Sequence, residues 1–170
     1  MGIKLVRLSK EYKNQLFEMM DEWTHFKGDK DDKTPYAIFK NDYHDFDNYL
    51  ENLEIKHFDG KYVPDSVFFA LDTKRNIFIG AVNIRHFLSE HLLKKGGHIG
   101  DGIRPSERRK GFGTEMIRLA LIECKNLGIN KVLMICDKEN IASKKTIIKN
   151  GGILEYIDGD IERYWINISN

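Results

Sequence analysis

Apolar residues recur along the chain with two spacings, one typical of strands and the other of helices. Alternation, or a short run of branched and aromatic residues, predicts strands at residues 3–8, 67–72, 77–87, 97–103, 131–136, 153–157 and 161–168. Apolar residues every three or four positions predict helices at residues 9–23, 45–55, 115–127 and 140–150. Pro35 starts a short helical turn, and residues 89–95 form a short helix or a loop. Two crossover helices joined to strands, with hairpins at both ends, predict an α/β domain in which helices cover a mixed sheet.

The most informative stretch is residues 104–114, a basic turn with two glycines between a predicted strand and a predicted helix. A helix start offers unpaired backbone N–H groups and the positive end of the helix dipole. Because Gly111 and Gly113 lack a Cβ atom, an anion can approach these amides closely. The three basic residues at 108–110 add positive charge. Together these features predict a phosphate or pyrophosphate site.

The turn matches neither of two common phosphate-binding motifs. The sequence has no G-x-x-x-x-G-K-[ST] run, and Gly111-Phe-Gly113 lacks the third glycine of G-x-G-x-x-G. Arg108-x-x-Gly111-x-Gly113 instead resembles the [QR]-x-x-G-x-[GA] signature of the GNAT superfamily of N-acetyltransferases, in which this turn holds the pyrophosphate of acetyl-CoA. Four further motifs resemble one poorly characterised branch of that superfamily, and the specific resemblance covers about residues 78–168. They are Asn83-Ile-Arg-His86, Gly96-Gly-His-Ile-Gly100, Ile103-Arg-Pro-Ser106 and Asn150-Gly-Gly152.

The resemblance implies one GNAT-like domain over residues 1–170, with acetyl-CoA as co-substrate and no metal. In that fold the strands at 97–103 and 131–136 splay apart, and the pantetheine arm lies in the opening. The implied cofactor-binding residues are Ile103, Arg108, Arg109, Lys110, Gly111, Phe112, Gly113, Thr114, Asn140 and Ser143. Asn140 also fits a simpler role, as the N-cap of the helix that follows it.

Acetyl transfer to an amine needs a group that accepts a proton from the acceptor ammonium, because only the neutral amine attacks a thioester. His98 has a suitable intrinsic pKa of roughly 6.5 and lies near the position of a catalytic glutamate in some relatives. The alternative for His98 is a structural histidine, hydrogen-bonded within its strand. Asp101 lies on the opposite face of that strand and is predicted to bind a cationic acceptor.

The proton donor for the departing CoA thiolate is less clear from the sequence. Many relatives carry a tyrosine for this step, and Ile147 occupies the corresponding position. Ser143, Cys136 or a water could donate instead, although Cys136 is also typical of a buried core thiol. A thiol pKa of roughly 8.5 makes CoA a tolerable leaving group without a dedicated acid.

Two regions are expected to form the acceptor site. Tyr164 in the last hairpin is predicted to bind the substrate, and Trp165 then faces the other side of its strand. The first helices and their loop combine aromatic rings with carboxylates, which suits an ammonium or a polyamine. The alternative for this second region is an exposed acidic surface over buried rings. Its residues are Trp23, Asp29, Asp31, Asp32, Tyr36, Phe39, Asp42, Tyr43, Asp45, Asp47 and Tyr49.

Composition adds few further restrictions. The 170 residues carry 27 Lys and Arg against 26 Asp and Glu, so the net charge of +1 favours neither nucleic acid nor a membrane as a partner. Cys124 and Cys136 have no C-x-x-C spacing and predict neither a disulfide framework nor a zinc site. Without a signal peptide or an apolar run of the ~18 residues that span a membrane, we expect a cytoplasmic location. Assembly as a homodimer stays open.

These observations predict an acetyl-CoA-dependent N-acetyltransferase that acts on an amine of a small molecule or peptide. Direct attack in a ternary complex is expected, since no nucleophile motif indicates a covalent enzyme intermediate. One competing interpretation is a non-catalytic sensor that binds acyl-CoA on the same fold, which the isoleucine at position 147 would suit. A second is binding of RNA or another polyanion through residues 104–110, against which the near-neutral charge argues.

Overall fold

The computed structural model describes residues 2–28 and 33–169. Its strands are β1 (Ile3–Val6), β2 (Asp65–Asp72), β3 (Ile77–Arg85), β4 (Ile99–Ile103), β5 (Lys131–Asp137), β6 (Ile153–Asp158) and β7 (Ile161–Asn167). Its helices are α1 (Lys13–His25), α2 (Phe46–Glu51), α3 (Glu90–Lys94), α4 (Phe112–Asn126) and α5 (Ile141–Lys149). Short 3-10 turns occupy Lys10–Tyr12, Tyr36–Ile38 and Pro105–Glu107. The predicted order of elements and the α/β class are confirmed.

The strands form two antiparallel sheets. The first has the order β1-β2-β3-β4, and the second has the order β5-β7-β6. The predicted mixed sheet is therefore divided between β4 and β5, which is where the resemblance implied that two strands splay apart. An isolated bridge between Gly97 and Met134 joins the two sheets.

Two hydrophobic cores cover the two faces of the first sheet. One contains Met116, Ile117 and Ala120 of α4 together with residues of β5 and β7. The other contains Leu16 and Trp23 of α1 together with residues that flank and form α2. All eight residues of β2 are buried, as are the seven inner residues of β3, because both faces of these strands are covered.

Two element boundaries differ from the sequence prediction for reasons of backbone conformation. Helix α4 begins at Phe112 instead of residue 115, because Gly111 takes a left-handed conformation (φ +83°) and acts as its N-cap. Strand β4 begins at Ile99 instead of residue 97, because Gly96 and Gly97 have φ values of +102° and +65° that a regular strand excludes. Among the residues that the structure describes, no helix combines the length and apolar character needed to span a bilayer.

Candidate cofactor cleft and active site

The cleft begins at a pivot where β4 and β5 touch. The backbone N–H of His98 donates to the carbonyl of Leu133 (2.8 Å), and the N–H of Leu133 donates to Nδ1 of His98 (2.9 Å). A Cβ atom on Gly97 would lie 2.5 Å from the Leu133 carbonyl oxygen, so only glycine permits this approach. Beyond the pivot β4 and β5 belong to different sheets, which leaves an opening between them.

His98 serves as a structural link at this pivot. Its side chain is buried, and burial, together with the positive charge of Arg85, lowers its pKa from 6.5 to about 4. At neutral pH the ring is therefore uncharged, with Nδ1 already accepting a hydrogen bond and the proton on Nε2. These features favour the structural alternative for His98, and its role as a base stays a prediction.

Asp101 lies near the middle of β4, opposite Val82 of β3. Strand alternation puts it on the same face as Ile99, whose side chain belongs to the core beneath α4. Burial raises its pKa from 3.8 to about 6, although the nearby Arg85 opposes the shift. Across the opening between the two sheets, the charge of Asp101 helps to raise the pKa of the Cys136 thiol on β5. A half-buried carboxylate that titrates close to neutral pH in a cleft is a candidate acid–base group.

The basic turn ends the cleft at the start of α4. Gly111 caps this helix without a side-chain hydrogen bond, so the amides of the first turn remain available for an anion. A Cβ atom on Gly113 would lie 3.6 Å from Thr146 Oγ1 and 3.9 Å from Ile103 Cγ1, so this glycine lies between β4 and α5. Arg109, in the same turn, is exposed and has a φ of +63°. These residues fit a pyrophosphate.

Three of the four basic residues of the turn are held by partners within the protein. Arg108 Nε donates to the carbonyl of Ile103 (2.9 Å), and its guanidinium lies 5.3 Å from the ring centre of Phe26. Lys110 Nζ donates to Glu107 (2.7 Å), a buried carboxylate that also pairs with Arg75. Arg104 is itself buried. This arrangement weakens the polyanion interpretation of residues 104–110.

A carboxylate from α1 holds the turn in place. Glu22 Oε1 accepts from Arg104 Nη2 (2.8 Å) and Ser106 Oγ (2.8 Å), and its Oε2 accepts from the Ser106 N–H (2.9 Å). Arg104 Nη1 also donates to the carbonyl of Phe78 (3.0 Å), which fixes the turn to β3. The sequence analysis missed Glu22 because its partners in the turn are distant in sequence. It missed Glu107 because a glutamate in a run of charged residues also fits an ordinary exposed surface.

The start of α5 forms the other wall of the cleft. Asn140 Oδ1 accepts from the Ser143 N–H (3.1 Å), so the N-cap interpretation of Asn140 is confirmed. Asn150 Nδ2 donates to the carbonyl of Thr114 (3.1 Å) and ties the end of α5 to the start of α4. Ile147 is fully buried in the core between the two sheets and α4.

Tyr164 is buried on β7 within a small polar cluster. Its hydroxyl donates to Glu162 Oε1 (3.3 Å), and the same carboxylate forms an ion pair with Lys144 of α5 (2.7 Å). Burial and the neighbouring Glu162 both raise the pKa of Tyr164 and of the Cys136 thiol. The sequence analysis missed Glu162 as the centre of this cluster. In the part of the chain that the structure describes, no group of His, Cys, Asp or Glu side chains is arranged to hold a metal ion.

Comparison with known proteins identifies the family. A model of the acetyltransferase (GNAT) domain matches residues 4–153. The chain belongs to this family. No curated protein matches the sequence significantly.

Solved structures of other GNAT proteins share the fold over nearly the whole chain. A chimera of spermidine N-acetyltransferase SpeG from Vibrio cholerae and hSSAT is 17% identical, with a TM-score of 0.63 and coverage of 99% of this chain and 97% of that one. The ribosomal-protein-S5-alanine acetyltransferase from Vibrio fischeri is 13% identical, with a TM-score of 0.65 and coverage of 100% and 95%. Campylobacter jejuni N-acetyltransferase PseH, in complex with acetyl coenzyme A, is 16% identical, with a TM-score of 0.58 and coverage of 97% and 98%. Identities this low establish a shared fold alone.

In this GNAT domain the segment after α1 lies along β4. Thr34 Oγ1 donates to the carbonyl of Asp101 (2.9 Å), and a Cβ atom on Gly102 would lie only 1.9 Å from the Thr34 carbonyl oxygen. Tyr36 follows two residues later and is 70% exposed. This segment therefore borders the strand that carries Asp101.

Most of the aromatic and acidic residues expected at the acceptor site have structural roles. Trp23, Tyr43 and Tyr49 are buried, as the alternative interpretation of this region expected. Asp42 bonds to His44 (2.8 Å), and Asp45 caps α2. The three aspartates at positions 29, 31 and 32 lie outside the described residues. The roles of Asp101 and Tyr36 on the acceptor side stay predictions.

Proposed function

We propose that the protein is an acetyl-CoA-dependent N-acetyltransferase that acetylates a small-molecule or peptide amine by direct attack in a ternary complex. The observation that carries this proposal is one cleft with Asp101 along its wall and, at its end, the start of α4, where Gly111 is the N-cap and no side chain caps the first amides. Membership of the GNAT acetyltransferase family supports the same reaction class.

The residues around the turn would hold the co-substrate. Acetyl-CoA supplies the acetyl group as an activated thioester. The first amides of α4, from Phe112, Gly113 and Thr114, would bind its pyrophosphate together with the positive charge of Arg109. Lys110 and Arg108 would contribute through the backbone and charge of the turn. Ile103 would border the pantetheine on one side, and Asn140 and Ser143 on the other.

Asp101 is the base that best fits the chemistry. With a pKa of about 6, about nine-tenths of its carboxyl groups are ionised at pH 7, and a base that titrates near the working pH is the most effective. The carboxylate would attract the acceptor ammonium and accept its proton as the amine attacks. His98, whose pKa is about 4 and whose Nδ1 is occupied, remains the second candidate.

The thiolate that leaves would be protonated near the start of α5. Ser143 is the candidate donor in this chain, with a water as the alternative. The hydroxyl of Tyr164 already donates its proton to Glu162. We therefore assign Tyr164 to the wall of the acceptor site and not to protonation of the thiolate. A thiol pKa of roughly 8.5 allows the reaction to proceed without a strong acid.

Release of free CoA tests the function. The purified protein is mixed with acetyl-CoA and a panel of amines that includes spermidine and an alanine-terminated peptide, because two structural neighbours are named for such acceptors. Release that depends on an amine and falls at least tenfold in Asp101→Asn is the expected result. Tight acetyl-CoA binding without release for any amine would favour the sensor instead.

A further inference from the structure

Strand β6 (Ile153–Asp158) is the edge of the second sheet, and its outer side is uncovered. In the order β5-β7-β6 it pairs on one side with β7, and no strand among the described residues pairs with the other side. All six residues of β6 are exposed. The backbone N–H and C=O groups that point outward are therefore open to pairing with a strand of another chain.

Large apolar side chains lie on both faces of β6. The register with β7 puts Ile153 and Tyr156 on one face of the sheet, and Leu154 and Ile157 on the other. A bulge that leaves Glu155 without a partner in this register explains why residues three positions apart share a face. The four apolar side chains are between 43% and 74% exposed, so neither face of the strand is covered.

This edge lacks the features with which a monomer usually protects an edge strand. β6 contains no lysine or proline. Its central charge, Glu155, accepts a hydrogen bond from Trp165 Nε1 and lies 3.9 Å from Arg163 Nη2, so it is held within its own sheet. Half-exposed side chains of this size present on the order of 100 Å² each. The four together thus reach the ~300–600 Å² of the largest apolar patch on a typical monomer, which is often a functional surface.

Two copies of β6 complement each other when they pair antiparallel about a two-fold axis. With the axis between Glu155 and Tyr156, Leu154 of one copy lies opposite Ile157 of the other, and the symmetry repeats this apolar pair. Both residues lie on the same face of the sheet, as residues opposite each other in a ladder must. The backbone of the strand and its flanking segments add to the ~800 Å² per partner that a stable interface buries.

The charges at the two ends of β6 fit the same arrangement. The strand follows the basic end of α5 at Lys149, and it leads into a turn that carries Asp158 and Asp160. Asp158 is exposed, and Asp160 pairs with Lys138 (3.3 Å). In an antiparallel pair the start of one strand lies beside the end of the other, so the basic end of each copy meets the acidic turn of its partner.

We propose that β6 pairs with β6 of a second copy of this chain and joins the second sheets of two protomers into one six-stranded antiparallel sheet. A second copy is the occupant that these observations favour, because the strand is complementary to itself in both its apolar residues and its terminal charges. The inference is independent of the proposed function, since it uses no residue of the cleft.

Sedimentation of the protein at concentrations up to about 100 µM tests the assembly. The wild type should sediment with twice the mass of the chain. Ile157→Lys should lower the dimer affinity at least tenfold, because the symmetry places the new charge in the interface twice. Ile122→Lys is the matched control: Ile122 is 48% exposed on α4, and its replacement should leave the dimer intact. Circular dichroism shows that each variant is folded. A wild-type monomer at the highest concentration, or a dimer that Ile157→Lys does not weaken, would overturn the inference.

Disulfide cross-linking tests the register. Residues opposite each other in an antiparallel ladder have Cα atoms about 4.5–5.5 Å apart, within reach of a disulfide. The double variant Leu154→Cys/Ile157→Cys should therefore form a covalent dimer under a mild oxidant. Neither single variant should do so, because like residues are offset by about 10 Å along the strands. The wild type, whose Cys124 and Cys136 are buried, is the blank. A dimer whose double variant gives no more cross-link than the single variants would overturn the pairing of β6 with itself.

Discussion

Replacement of Glu22 by alanine should destabilise the protein through a turn more than 80 positions away in the sequence. Glu22 accepts two hydrogen bonds from the Arg104 side chain and two from Ser106. Without it the Arg104 guanidinium, only 6% exposed, stays buried with its main negative partner removed. Breaking a fully buried ion pair typically costs about 3–5 kcal/mol. Because the Glu22 side chain is 29% exposed, water can replace part of the interaction, and we expect about 2 kcal/mol.

Urea unfolding of the variant measures this cost directly. For a domain of this size about 2 kcal/mol corresponds to a fall in Tm of about 4–8 °C. Glu18→Ala is the control, because Glu18 lies 3.5 Å from Arg104 Nη2 but is 56% exposed, and it should cost less than about 0.5 kcal/mol. A loss in Glu22→Ala no larger than in Glu18→Ala would refute the reasoning.

The same interaction predicts a pH dependence. Burial raises the pKa of Glu22, but hydrogen bonds from Arg104 and Ser106 outweigh it and hold the pKa below 4.5. A carboxyl group with a lowered pKa stabilises the fold above its unfolded pKa and loses that contribution as the pH falls through its folded pKa. The difference in stability between wild type and Glu22→Ala should therefore shrink below about pH 4.5.

Three further substitutions test the cleft. Gly111→Asp should abolish CoA binding in calorimetry, because a side chain and a negative charge enter the turn, whereas Gly128→Asp, at the other end of α4 with a φ of +84° and open space around it, should retain binding. Asp101→Asn should remove the acid limb near pH 6 from the rate profile, and an unchanged limb would exclude Asp101 as the base. His98→Ala should destabilise the fold by about 2 kcal/mol, because the buried Leu133 N–H loses its acceptor, and should leave the acid limb in place. His98→Asn, whose Oδ1 can accept that hydrogen bond, should recover part of the stability, and a shifted limb in either variant would restore His98 as a candidate base.

The sequence predicted the elements of this fold because each one carries a local signal. Periodic apolar residues identified α1 and α4, and alternation or short runs of branched and aromatic residues identified the strands. The start of α4 was misplaced by three residues, because the left-handed conformation of Gly111 decides it and local spacing does not show this. The resemblance supplied the splay between β4 and β5, which no periodicity indicates.

The candidate site was less predictable, because its chemistry depends on contacts between distant segments. His98 has the intrinsic pKa of a base, but burial and a partner on β5 make it neutral and structural. Asp101 has an ordinary intrinsic pKa, and only its place in the cleft raises it towards neutrality. Glu22 and Glu162 gave no sequence signal, since a carboxylate is recognisable as a clamp only when its partners are known.

Because β4 and β5 are joined at His98 and Leu133, a small rotation at this pivot moves the far end of β4 by a larger distance. Ile103 lies five positions after His98, and at about 3.3 Å per position the arm of β4 is about 17 Å long. A rotation of about 3° at the pivot would displace the far end by nearly 1 Å, a misplacement that can cost an enzyme about a hundredfold in rate. Substitutions that repack Gly97 or Leu133 could therefore retune acetyl transfer from a distance, without any contact with donor or acceptor. The width of the opening is therefore set at its closed end, by Gly96, Gly97 and His98.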